Sequence, residues 1–325
     1  MRRTKIVATI GPASDSPEML LMLVQAGIDM ARLNASHGSR AELEHRLAAV
    51  RAAADRDGRH VAVMLDLGGP KIRVGEVAAG TVLADGATFI LSCDDCEGDA
   101  SHACVTYEGM ADDVSVGDRI LIDDGSIELA VTSTGDRRVE TVVKRGGLLT
   151  SHKGVNVPGV RLSVEAVTPK DLDDLAWGIS VGVDLVAQSF VRTPADIARL
   201  REAMGEQRVP IIAKVEKHEA VQALDAIVAE ADAVMVARGD LGVETSYEIV
   251  PVTQRRLVDA CRAAGKPVIV ATQMLESMVH SPRPTRAEAS DVATAVFEGA
   301  DAVMLSEETA IGEFPLEAVS TMARI

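Results

Sequence analysis

Short apolar runs recur along the chain, each closed by polar or charged residues, and stretches of helical periodicity separate them. The run Thr4-Lys-Ile-Val-Ala-Thr-Ile-Gly-Pro12 reads as a strand and a turn. Ser16 and Pro17 open a helix as N-cap and first helical residue, and Gly27 closes it. A second strand over 30–35, a helix over about 40–57 and a third strand over 61–66 follow. This βαβαβ start implies a parallel sheet with helical crossovers.

The pattern changes at Gly68-Gly-Pro-Lys-Ile-Arg73. From there to Val157 helical periodicity is lost, Gly and Asp are dense, and β-type runs at 119–122, 127–131 and 139–143 are parted by Asp124-Gly125 and Gly146-Gly147. A small all-β domain inserted in a loop is expected, hinged at Gly68-Gly69-Pro70 and at 154–159. The β/α alternation then resumes. Thr168-Pro169 and Thr193-Pro194 open helices around a strand at 184–190, and a strand at 210–216, a helix at about 219–229, a strand at 231–237 and a helix at about 252–264 come next. A strand at 267–273, a Thr285 to Glu288 capping box and a last strand at 300–306 complete the series.

Nearly every one of these strands ends in polar groups: Arg32 and Asn34, Asp66, Lys214 and Glu216, Arg238 and Asp240, Thr272 and Gln273, Ser306 to Glu308. In an open doubly wound sheet, ligand residues concentrate at one switch point, whereas a closed barrel brings all strand ends around one centre. The expected fold is therefore α/β: a (β/α)8 TIM barrel formed by 1–69 and 159–325, with a β-barrel-like lid inserted at 70–158. A lysine, two carboxylates and a glycine amide gathered at strand ends suit an anionic substrate held through a divalent metal.

Composition narrows the picture. Hydrophobic residues make up 47% of the 325 residues but aromatics only 2%, so the core must be built from Ala, Val, Ile, Leu and Met. The formal charge of −16 disfavours general nucleic-acid binding, and no window reaches the apolar length of a membrane span, so a cytoplasmic protein is expected. Cys93, Cys96 and Cys104 with His102 have one Cys-x-x-Cys pair but no second paired motif, and read as reduced loop cysteines rather than a zinc site.

Several motifs in one order, namely Thr9-Ile-Gly-Pro-Ala-Ser14, Arg32-Leu-Asn-Ala-Ser-His-Gly38, Lys153-Gly-Val-Asn-Val-Pro-Gly159, Met235-Val-Ala-Arg-Gly-Asp-Leu-Gly242, Ala271-Thr-Gln-Met-Leu-Glu-Ser-Met278 and Pro282-Arg-Pro-Thr-Arg-Ala-Glu288, closely resemble the pyruvate kinases. The resemblance implies phosphoryl transfer from phosphoenolpyruvate to ADP, with Mg²⁺, or Mn²⁺ in its place, on Glu216 and Asp240. It gives Lys214 the transferring phosphoryl group and developing enolate, Arg32 and Arg73 the phosphate, and Gly239, Asp240 and Thr272 the substrate carboxylate, with Thr272 also near the carbon to be protonated. His37, Arg73 and Lys153 fall near the nucleotide phosphates, and Asp124 lies in the lid. A catalytically silent homologue that only binds these ligands is the alternative reading; intact Lys214, Glu216, Asp240 and Thr272 speak against it.

Three departures from the family pattern carry further expectations. Leu65-Asp-Leu-Gly-Gly-Pro-Lys71 has a lysine where the family commonly has glutamate beside a K⁺ site that Asn34, Ser36, Asp66 and the carbonyl of Leu67 would form. Lys71 is expected to replace that cation, so that K⁺ is not required, since two cations cannot share one small oxygen cage. Glu307 stands where the family usually has glycine, which adds a charge at the site's rim. The chain ends at Ile325, where typical members continue into a C-terminal regulatory domain. Effector control through that domain is expected to be absent, while a homodimer through barrel helices stays open.

Overall fold

The computed structural model describes residues 2–325. Its contacts divide the chain into two compact units, one of 1–69, 166–239 and 250–325, the other of 70–165 and 240–249.

In the larger unit eight parallel strands close into a barrel, in the order Lys5–Thr9, Ala302–Leu305, Val268–Ala271, Ala233–Ala237, Ile211–Val215, Leu185–Gln188, Ala62–Asp66 and Met30–Asn34. Alternate side chains point inward, and the barrel is filled by Val7, Met64, Ala187, Ile212, Met235, Ile269, Ala271 and Met304 with smaller alanines between them. Among the described residues that fill the barrel there is no aromatic ring, in keeping with the composition. Among the described residues no helix is long and apolar enough to cross a membrane.

The crossover helices start where capping residues stand. Ser16 accepts a hydrogen bond from the Met19 amide ahead of Pro17–Ala26, and capping boxes at Ser39, Thr168 and Thr285 open Arg40–Asp57, Pro169–Ser180 and Arg286–Glu298. Thr285 Oγ1 accepts from the Glu288 amide at 3.2 Å, and the Glu288 carboxylate returns to the Thr285 amide at 2.7 Å. Thr285→Ala is therefore expected to lower stability by about 1 kcal/mol, read as a shift of the urea midpoint at unchanged slope; an unshifted midpoint would deny the cap its role.

Several elements differ from the sequence expectation for local reasons. The helix expected at about 219–229 is two pieces, His218–Gln222 and Leu224–Glu230, parted at Ala223 (φ −93°, ψ 17°). The strands expected at 184–190 and 267–273 stop at Gln188 and Ala271, because Phe190 (φ 56°), Thr272 (φ 69°) and Gln273 (φ 53°) are left-handed and cannot extend a strand. Arg238–Glu244, expected as a strand terminus and loop, is a short helix.

The smaller unit holds a six-stranded sheet in the order Val155–Asn156, Arg119–Ile122, Ile127–Gly135, Arg138–Arg145, Thr88–Ser92 and His102–Cys104, and a strand pair of Val82–Leu83 with Gly147–Leu148. Phe89, Leu91, Ile120, Leu129, Val139 and Val143 form its core. It is not purely β, since Met110–Asp113 makes one helical turn, where Asp113 accepts from Tyr107 and Ser163. Its return to the barrel falls at 165/166 rather than 158/159, because Leu162 is buried in its core with Val160 and Val164 packed alongside.

Candidate active site

Strand alternation places the charged groups. Ile212 fills the barrel, so Lys214 and Glu216, two and four residues on, share its inward direction at the carboxyl end; Met64 likewise sets Asp66, and Ala187 sets Ser189. The Lys214 ammonium lies 2.9 Å from Glu216 Oε1 and 3.3 Å from Asp66 Oδ1, and donates to Ser189 Oγ at 2.7 Å. Asp66 Oδ2 accepts from Arg32 Nε at 2.7 Å, and Arg32 Nη1 donates to Thr9 Oγ1 at 3.1 Å. Glu216 and Asp66 are 0% and 1% exposed and Lys214 8%, so these charges are stable only as a paired group.

Burial alone pushes Lys214 down, but Asp66 and Glu216 outweigh it and hold the ammonium above its ordinary value of 10.5. Burial likewise pushes Asp66 up, and Lys214 with Arg32 overcomes it, so the carboxyl stays below its ordinary 3.8. At neutral pH the centre is a lysine cation between two carboxylates, with a guanidinium behind it.

Beside it opens a cavity of about 540 Å³, lined by Thr9 to Pro12, Arg32, Asn34, His37, Gly38, Glu42, Arg46, Thr272, Ser306 and Glu307. Asn34 bonds the His37 ring at 3.0 Å and accepts from the Ser36 amide. Thr272 Oγ1 accepts from the Gly239 amide at 2.7 Å and donates to the Ala271 carbonyl. Glu308, by contrast, is fully buried and accepts from the Leu275 and Ser306 amides. Burial foremost pushes Glu308 up, and exposed Glu307 on the cavity wall adds to that push.

The barrel thus brings together Arg32, Asn34, His37, Asp66, Lys214, Glu216, Gly239 and Thr272 of the predicted set. Asp66, expected in a K⁺ cage with Asn34, Ser36 and Leu67, has its oxygens engaged by Arg32, Lys214 and Ser189. The Arg238 guanidinium is held by the Thr272 and Gln273 carbonyls and the Asp291 carboxylate. Ser189 and Phe190 were not singled out by the sequence reading, although a polar residue one step past an apolar strand was the available signal.

Lys71, Arg73, Asp124, Lys153 and Asp240 belong to the smaller unit. There Lys71 Nζ lies 3.5 Å from Asp240 Oδ1, Lys153 pairs with Asp123 at 2.8 Å, and Arg73 Nη1 donates to the His152 carbonyl at 2.9 Å. Asp124 sits in a left-handed turn with Asp123 and Gly125. Cys104 Sγ donates to the Cys96 carbonyl at 3.0 Å, and His102 pairs with Asp99.

A closed β/α barrel carries the active sites of barrel enzymes at the carboxyl ends of its strands, where this charged cluster lies. The family described as the barrel domain of pyruvate kinase matches residues 1–319. The pyruvate kinase of Mycobacterium intracellulare is 53% identical over 328 residues, covering all of this chain and 69% of that protein. That of Corynebacterium efficiens is 51% identical with the same coverage, and that of Geobacillus stearothermophilus is 49% identical over 56% of its length. The chain belongs to the pyruvate kinase family.

Proposed function

We propose that this chain transfers the phosphoryl group of phosphoenolpyruvate to ADP, giving pyruvate and ATP. The observation that carries this reading is the buried Lys214 ammonium held between Asp66 and Glu216 beside Arg32. Phosphoryl transfer needs positive charge fixed where charge shifts, more than covalent participation by the protein. As the P–O bond to the enol oxygen breaks, its electron pair goes to that oxygen, and the ADP oxygen forms the new bond to phosphorus. Lys214 and Arg32 stabilise the charge in flight. The Thr272 hydroxyl, fixed by the Gly239 amide, stands at the cavity wall to orient the proton delivered to the enolate carbon.

Glu216, with Asp240 as the resemblance assigns it, would hold Mg²⁺. Buried carboxylate oxygen suits that hard cation, which keeps open positions for substrate oxygens and needs no dense protein cage. When bound it neutralises charge on the substrate's carboxylate and phosphoryl oxygens. His37 on the cavity wall, and Arg73 and Lys153 as the resemblance assigns them, are the nucleotide-side residues in this reading.

The reading includes independence from K⁺, with Lys71 supplying the positive charge in place of that cation. The test is pyruvate formation from phosphoenolpyruvate, ADP and Mg²⁺, with K⁺ or with only a bulky organic cation present. Equal rates in both media are expected, and Lys71→Glu is expected to make the rate depend on K⁺ by about tenfold or more. A Lys71→Glu variant indifferent to K⁺ removes the Lys71 argument, and an inactive wild type removes the enzymatic reading.

A further inference from the structure

The turn after the strand Leu185–Gln188 touches both members of the Lys214–Glu216 pair. Ser189, 3% exposed, accepts from Lys214 Nζ at 2.7 Å and donates to Asp66 Oδ1 at 3.3 Å. Phe190 directs its backbone N–H to Glu216 Oε2 at 2.7 Å. To do so it adopts φ 56°, a left-handed conformation that costs a bulky non-glycine residue on the order of 1 kcal/mol or more. Strain of this kind persists only where the surroundings over-determine it.

They do so here from each side. Gly69 packs so closely that an added Cβ would meet the Phe190 ring at 2.8 Å and Ser189 Cβ at 3.1 Å. Lys217 Nζ stands 5.9 Å from the Phe190 ring centre. Downstream, the Arg192 and Thr193 amides both donate to Asp196 Oδ2, and upstream Gln188 Nε2 donates to the Asp196 carbonyl.

We propose that Ser189 and Phe190 form a positioning corner for the phosphoryl-transfer centre, with the Ser189 hydroxyl as the one exchangeable partner of the Lys214 ammonium. The inference rests on the kinase reading above. An ammonium has three protons, and among the described residues Lys214 has three partners, two carboxylates and one hydroxyl. A neutral acceptor binds an ammonium more weakly than a carboxylate does. An arriving phosphoryl oxygen therefore displaces Ser189, leaving the carboxylates to keep Lys214 charged. Without the hydroxyl, the ammonium settles between Asp66 and Glu216 and its third proton is no longer aimed at the substrate. The Phe190 amide meanwhile fixes Glu216 independently of Ser189.

The experiment pairs steady-state kinetics of Ser189→Ala and the near-isosteric Ser189→Cys with crystal structures of wild type and the alanine variant. Loss of aim by a fraction of an ångström to one ångström should lower kcat by about 10²-fold with KM for phosphoenolpyruvate changed by less than about threefold. The crystal structure should show Lys214 Nζ withdrawn toward the carboxylates. The cysteine variant, a poor acceptor that fills the same space, should match alanine in kcat and wild type in thermal midpoint, and it carries the test if the alanine variant does not fold. A kcat within about threefold of wild type in the cysteine variant, or Lys214 Nζ in the same place in both structures, overturns the proposal. If wild type itself lacks activity, the kinase reading fails, while the Lys214 displacement still decides for or against the corner.

Discussion

Lys214→Met is expected to lower kcat by at least about 10³-fold, the scale of losing a preorganised charge at a transferring group, and to change how stability responds to pH. In the native protein the raised Lys214 contributes stability that is complete below its ordinary 10.5 and is lost as pH rises through its folded value. The depressed Asp66 contributes stability that is present above 3.8 and is lost as pH falls through its folded value. Between those limits the pairing contributes fully. Methionine fills similar space but removes the ammonium that both Asp66 and Glu216 face, leaving Asp66 on Arg32 and the Ser189 hydroxyl. Removing one partner from a buried charge cluster costs about 3 kcal/mol. With the ammonium gone, the upward push of burial on Asp66 is opposed by Arg32 alone, so the variant should regain part of its stability as pH falls. Urea unfolding at pH 8 and pH 5 checks this: the deficit relative to wild type should shrink at pH 5. A deficit equal at both values, or a kcat within tenfold of wild type, would mean that Lys214 is neither the keystone of the charge cluster nor the transfer cation.

Much of this centre follows from the two-residue period of a strand. Once Ile212, Met64 and Ala187 are placed inside the barrel, Lys214, Asp66 and Ser189 must follow them inward. The eight strands and the helix starts at Ser16, Thr168, Thr193 and Thr285 were legible because apolar runs and capping residues act locally. What was not legible depends on contacts far apart in sequence. Asp66 reads equally well as a cation-cage ligand or a lysine partner until Lys214, 148 positions later, is seen beside it. Phe190 and Thr272 look like strand continuations, since β-propensity does not reveal that an amide or a hydroxyl must be turned into the site.

Arg238→Met is expected to cost about 2 kcal/mol of stability, the scale of leaving the carbonyls it binds without a partner, and to slow turnover without touching the barrel centre. Thr272 and Gln273 are consecutive left-handed residues, at φ 69° and 53°, and a β-branched residue there is a true outlier. The guanidinium offsets that strain. Its Nε and Nη2 donate to the Thr272 carbonyl at 3.2 and 2.8 Å, Nη2 also reaches the Gln273 carbonyl at 3.1 Å, and Nη1 is anchored on Asp291 at 2.7 Å. At 8% exposure, water cannot easily replace these bonds. Once they are lost, the 272–273 turn relaxes toward ordinary φ values and Thr272 Oγ1 leaves the Gly239 amide, so kcat should fall by roughly 10- to 10²-fold through misplacement alone. Lysine cannot span two carbonyls and a carboxylate with one ammonium, so Arg238→Lys should resemble methionine in kcat even where its charge spares some stability. Thermal midpoints and kcat for both variants decide the matter. A lysine variant with wild-type turnover would show that charge near Asp291, and not the planar fork across the turn, is what position 238 supplies.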